Sequence, residues 1–224
     1  MQSPRFPKAV LFDLDGTLVD SAPDFIAVIN RMRADRGREA MDLADLRPVV
    51  SKGARAMLGA GFPDVEASER ERWVQEFLDL YEEELGLHGK PFEGVEAMLS
   101  ALEANGTIWG IVTNKPEYLA RKLMPLLDWE SRCAVLIGGD TLPVRKPDPL
   151  PLLHAAQAIG VDAEHCVYVG DDERDIIAAR AAVMPSVVAL WGYRLREDDP
   201  FAWQGDVLIH QPAELCAADA WPRA

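Results

Sequence analysis

The chain is short of cations, of cysteine and of long apolar runs, and each shortage removes a class of function. Its 224 residues hold 23 Lys and Arg against 37 Asp and Glu, a formal net charge of −14. No run of Lys or Arg forms a stripe, so nucleic acid, whose phosphates call for a basic surface, is not an expected partner. An anionic small molecule stays open, because a few local cations and a metal can reverse the field inside one cleft. Cysteine occurs three times, at Cys133, Cys166 and Cys216, each in apolar company. An odd, buried set reads as small hydrophobes in a reducing compartment. Residues 1–8 lack the apolar centre of a secretory leader, and no later stretch is long enough to cross a bilayer. A cytoplasmic protein without a membrane partner is expected, as monomer or homodimer. Repeats and low-complexity tracts are also missing.

What is present is enough apolar material for a core, 49% of residues. Residues 8–13, Lys-Ala-Val-Leu-Phe-Asp, form a nearly continuous apolar run that reads as a strand buried on both faces, the habit of parallel sheets. Similar runs cover 108–112, 134–137, 166–169 and 186–190, with 206–209 as an edge strand. Helical periodicity fills the gaps at 93–105, 116–127, 150–159 and 173–183. Strand, polar turn, helix, strand is the pattern of an α/β, Rossmann-like parallel sheet. Residues 21–89 break it. They show no strand pattern and read as helices over 22–36, 42–49, 53–60 and 65–87. The expected division is a core of residues 1–20 and 90–224 with a helical cap domain over 21–89.

The polar clusters fall where such a sheet binds ligands, beyond the carboxyl ends of its strands. Asp13 and Asp15 end the first strand, and two carboxylates that close call for a cation. Gly16-Thr17 permits a tight turn whose N–H groups can face an anion. Thr113-Asn114 offers neutral donors at the next strand end, and a helix N-cap there is compatible with that role. Lys146 sits before Pro147 in a stiff loop, a point charge suited to a phosphoryl oxygen. Asp171, Asp172, Glu173 and Asp175 crowd a strand-to-helix turn. Acids favour helix N-termini, but Mg²⁺ also takes carboxylate oxygens. Asp171 is the best placed ligand, Asp172 would bind directly or through water, and Asp175 would reach Lys146 or a metal water. In the helical insert the compact basic loop Ser51-Lys52-Gly53-Ala54-Arg55 suggests that Lys52 or Arg55 meets a substrate carboxylate, or is simply a solvated helix start.

Taken together, D-x-D-G-T, a strand-end Thr, a Lys before Pro and G-D-x-x-x-D resemble the haloacid dehalogenase superfamily, in that family's order and over the whole chain. The insert looks like the family's all-helical C1 cap. The segment Asp13-Leu-Asp-Gly-Thr-Leu-Val-Asp-Ser-Ala-Pro-Asp24 and Trp191-Gly-Tyr-Arg194 resemble the phosphoglycolate phosphatase branch. Residues 22–26, 53–57, 108–116, 170–176 and 197–200 resemble N-acetylmuramic acid 6-phosphate phosphatases. Val183 departs from the pattern, where such proteins usually carry Gly. The resemblance implies a phosphatase with Asp13 as nucleophile and Asp15 as acid and base. It implies Mg²⁺ held by Asp13, the main-chain carbonyl of Asp15, and Asp171, with Thr113, Asn114 and Lys146 on the phosphoryl oxygens. Segment likeness tips the expected substrate to N-acetylmuramic acid 6-phosphate, with 2-phosphoglycolate as the alternative. A phosphomutase fits the cap less well. A phospho-accepting signalling receiver fits less well too, since its adjacent acid pair comes early and here Asp171-Asp172 comes late.

Overall fold

The computed structural model describes residues 5–222. Its centre is a parallel six-stranded sheet in the order β5-β4-β1-β6-β7-β8. These strands are β1 Ala9–Phe12, β4 Ile108–Val112, β5 Leu136–Ile137, β6 Cys166–Gly170, β7 Ser186–Ala189 and β8 Val207–Ile209. All four residues of β1 are buried. They alternate between two cores: Val10 and Phe12 face one apolar layer, Ala9 and Leu11 the other. That is why the strand reads as continuously apolar in sequence. Helices α6 (Val95–Ala104) and α7 (Glu117–Leu126) supply the first layer with Met98, Leu99, Leu102, Leu119 and Leu123. Helices α8 (Leu150–Ala158) and α9 (Glu173–Ala181) supply the second with Leu152, Ala155, Ala178 and Ala179.

The topology places the chemistry. Strand β1 lies between β4 and β6, pairing Ala9 with both Ile108 and Cys166. The three segments that follow these strands, at Asp13, Thr113 and Asp171, therefore emerge side by side although they are far apart in the chain.

Between β2 (Val19–Asp20) and β3 (Lys90–Pro91) lie five helices: α1 Ala22–Asp35, α2 Leu43–Leu46, α3 Ala54–Gly61, α4 Ala67–Arg72 and α5 Val74–Glu84. The ribbon β2–β3 is antiparallel, with Asp20 opposite Lys90, and was not foreseen from sequence. Two residues per strand are too few for any periodicity. Asp24 fastens this crossing. Its buried carboxylate accepts from the N–H groups of Gly86 (2.9 Å), His88 (2.7 Å) and Gly89 (2.8 Å).

Two expected helices are broken. The one over 42–49 gives way to a 3₁₀ segment at Arg47–Lys52, because Pro48 has no N–H to continue an α-helical ladder. The one over 65–87 is split at Trp73, whose indole packs edge-on against Phe62 at 5.0 Å under the Arg36 guanidinium, 4.2 Å from the indole ring.

Candidate active site

Asp13 leaves β1 with its N–H donating to Val169 O at 2.9 Å, so the ladder to β6 runs into the site. Lys146 Nζ lies 3.0 Å from Asp13 Oδ1 and 2.7 Å from Asp175 Oδ1. It also donates to the Tyr168 hydroxyl at 2.8 Å, which in turn donates to Val112 O at 2.7 Å. An ammonium has three donors, and here all three have acceptors. Burial alone would lower the Lys146 pKa, but Asp13 and Asp175 outweigh it and hold the lysine charged.

Asp171 is fully buried and accepts from Thr17 Oγ1 (3.0 Å), Ser51 Oγ (2.8 Å) and the Tyr193 N–H (2.9 Å). Burial first, then the charges of Asp13 and Asp175, push its carboxyl well above the usual range. Burial also pushes Asp175 up to about 6, with Lys146 opposing. Asp172 behaves otherwise. Burial would raise it, but hydrogen bonds and charge from Arg174 and Lys52 prevail and hold it at about 2. Asp172 caps α9 by accepting from the Arg174 N–H at 3.0 Å, and Asp175 accepts from the Asp172 N–H at 3.1 Å.

One carboxylate oxygen each from Asp13, Asp171 and Asp175 lie within 4.8 Å of one another, all buried. Lys146 pairs with Asp13 and Asp175 and no cation pairs with Asp171 among the described residues, so acids outnumber cations in this buried cluster. Hard oxygen donors with that excess fit a hard divalent cation. Asp15 is not in the cluster. Its carboxylate is turned to Lys115 Nζ, at 3.0 and 3.1 Å. The expected metal contact through its main chain concerns a different atom.

Glycine is required beside Asp171. Gly16 has φ +87°, and a Cβ there would meet Asp171 Oδ2 at 2.3 Å. Thr113 is buried, its Oγ1 accepting from the Lys115 N–H at 3.2 Å. Asn114 donates through Nδ2 to Lys146 O at 3.0 Å, so it steadies the lysine loop.

Above the cluster is a cavity of about 390 Å³. Asp13, Asp15, Thr113 and Lys115 line it from the sheet, and Phe25, Met57, Phe77 and Tyr81 from the helices. Lys52 and Arg55 reach it, but each already has an acid. Lys52 pairs with Asp172 (2.9 Å) and Asp198 (3.2 Å), and Arg55 with Glu71 (2.6 Å). Sequence reasoning overlooked Lys115, which is buried, donates to the Tyr81 hydroxyl and sits 4.3 Å from that ring's centroid. Its one sequence signal was its place two residues after Thr113. Tyr193 joins Asp171 to the ribbon. Its hydroxyl donates to Asp20 Oδ1 at 2.6 Å and accepts from the Ala22 N–H at 2.9 Å.

Sheet order, helical insert and acid cluster define a hydrolase of the haloacid dehalogenase type with the site of a phosphatase, and the chain belongs to the haloacid dehalogenase-like hydrolase family, whose model matches residues 10–189. Among individual proteins it is 64% identical over 219 residues to a phosphoglycolate phosphatase of Xanthomonas campestris, covering 98% of this chain and 99% of that one. It is 44% identical over 209 residues to an N-acetylmuramic acid 6-phosphate phosphatase of Pseudomonas aeruginosa, covering 93% and 92%. The crystal structure of a predicted phosphoglycolate phosphatase from Haemophilus somnus superposes with a TM-score of 0.82 at 26% identity, covering 93% and 96%. The preference for the muramic acid compound drawn from short segments is thus less well supported than its alternative. Segments such as 108–116 and 170–176 span or follow the strands beside Asp13 and carry Thr113, Asp171 and Asp175. They follow the shared chemistry and say little about the leaving group.

Proposed function

We propose that the protein is a Mg²⁺-dependent phosphomonoesterase acting on a small phosphorylated carboxylate, 2-phosphoglycolate first. The observation that carries the chemistry is the buried set Asp13, Asp171, Asp175 and Lys146 at adjacent strand ends. The choice of ester is supported by the 64% identity to a phosphoglycolate phosphatase. A Mg²⁺ held by Asp13 and Asp171, with Asp175 behind them and the Asp15 main-chain carbonyl beside them, would offset charge on the phosphoryl oxygens. Asp13 attacks phosphorus, forming an aspartyl phosphate as the ester oxygen leaves. Asp15 gives that oxygen its proton, then takes one from the water that hydrolyses the phosphoenzyme. Lys146 and Thr113 meet the equatorial oxygens, with Gly16 and Thr17 shaping the turn. Phosphoryl transfer needs little beyond such positioning and charge. The helical block acts as the cap. Ser51 and Lys52 already reach Asp171 and Asp172, and closure there keeps water out during the first step.

A second reading is supported by one observation. The cavity of about 390 Å³ is larger than so small an ester fills, and it lies in the range that takes drug-sized ligands, from about 300 Å³. N-acetylmuramic acid 6-phosphate is such a ligand and also carries a carboxylate. Steady-state kinetics on both esters, with Mg²⁺ and with EDTA, separates the readings. A higher kcat/KM for 2-phosphoglycolate is expected. A large preference for the muramic acid ester reverses the order, and turnover undiminished by EDTA removes the metal from the account.

A further inference from the structure

We propose that Arg145 receives the substrate's second anionic group, a carboxylate on the leaving-group side of the ester. The proposal rests on the reading of the substrate as a phosphorylated carboxylate. Five basic side chains line the cavity: Lys52, Arg55, Lys115, Arg145 and Arg174. Four are committed to acids. Lys52 is on Asp172 and Asp198, Arg55 on Glu71, Lys115 on Asp15 and Arg174 on Asp172, the nearest contact of each between 2.6 and 3.0 Å. Among the described residues, Arg145 is the one of the five that makes no ion pair.

The charge of each of the other four is already offset by a carboxylate of the protein. Drawing Lys115 away would strand the largely buried Asp15, which is strongly unfavourable. Arg145 has no such pairing among the described residues. It is exposed and hydrated in the free protein, and its partner comes with the ligand. A second anion entering a cavity with Asp13 and Asp15 on its floor, in a chain of net charge −14, needs an uncompensated cation.

The arginine is also well placed. Its carbonyl accepts from the Asp148 N–H at 3.0 Å, and the carbonyl of the next residue, Lys146, accepts from Asn114 Nδ2 at 3.0 Å. The main chain is therefore held on both sides of the Arg145–Lys146 bond. Lys146 points its ammonium to Asp13, where the phosphoryl group would sit, and the neighbouring guanidinium is left for the rest of the ester. A guanidinium is a planar fork that grips a carboxylate through two parallel hydrogen bonds.

The test uses two pairs of esters in which one member lacks the carboxylate: 2-phosphoglycolate with ethyl phosphate, and N-acetylmuramic acid 6-phosphate with N-acetylglucosamine 6-phosphate, which lacks the whole lactyl ether that bears it. The readout is the ratio of kcat/KM within each pair. The wild-type enzyme is expected to prefer the carboxylate partner of at least one pair. Arg145→Ala should shrink that ratio by about tenfold or more, chiefly through KM, the loss typical of a charged hydrogen bond. Arg145→Lys should recover part of it. If the wild type prefers the carboxylate ester and Arg145→Ala keeps the full ratio, the proposal fails while the substrate reading stands. If Arg145→Ala slows both members equally, Arg145 does not read the carboxylate, and again the proposal alone fails. If the wild type shows no preference in either pair, the substrate reading falls and the proposal falls with it.

Discussion

At the scale of single residues the site is a set of cations and acids whose pairings decide their roles. Asp13 is the acid whose oxygen faces both Lys146 and the cavity. Asp13→Asn keeps its shape and removes its charge, so the fold should persist by circular dichroism while turnover drops by about 10³-fold or more. Near-normal turnover would transfer the nucleophile's role to another group. Lys115 supports a different expectation. Its side chain is 2% exposed and that of Asp15 15%, so removing the cation strands a mostly buried carboxylate. Lys115→Met is expected to cost about 3–5 kcal/mol, and Tyr81→Phe only about 1 kcal/mol. Urea midpoints at constant slope would measure both. Equal small losses would mean that Lys115 is not the member on which the cluster depends.

At the scale of elements, the central strands were readable because β1 and β6 are buried on both faces, and their polar ends followed from that. Asp13, Thr113, Lys146 and Asp171 could be picked out as strand-end or loop residues of the right chemistry. The pairings could not. That Lys115 turns back to Asp15, a hundred positions away, or that Ser51 reaches Asp171, depends on how the insert lies on the sheet, and no local pattern encodes it. The same lack explains why Lys52 and Arg55 looked free: Asp172 and Glu71 are neighbours only in space. One departure noted in sequence does have a local consequence. Val183, just past α9, takes φ +57°, a left-handed conformation that is costly for a β-branched residue. Its side chain packs against little, at 74% exposure. Val183→Gly should therefore stabilise the protein by about 1 kcal/mol, relief of strain exceeding the added freedom of the unfolded chain. In a scanning melt this is a rise of about 2–4 °C. A fall in Tm would show that the strain is smaller than the entropy cost.

At the scale of the whole molecule, a cation held by the acid cluster would couple folding to its binding. Asp13, Asp171 and Asp175 repel one another across the meeting point of two segments distant in sequence. A cation that binds the folded chain and not the unfolded one stabilises it by about 2.7 kcal/mol at a hundredfold excess over Kd. Mg²⁺ is thus expected to raise Tm by about 5–10 °C in a saturable way. Asp171→Asn should lose most of that rise. An unchanged melting curve with Mg²⁺, under conditions where the enzyme turns over, would move the ion away from these acids.

The ribbon of β2 and β3 has one more implication. Because Asp20 and Lys90 face each other across it, the polypeptide departs from the catalytic platform and comes back at the same doorstep. Everything between is a closed excursion. Lengthening or shortening it there would not shift the register of a single strand beneath, so the spacing of the reacting groups is shielded from changes in the part that greets the ligand. Selection can revise the guest list in this fold without touching the machinery that receives it.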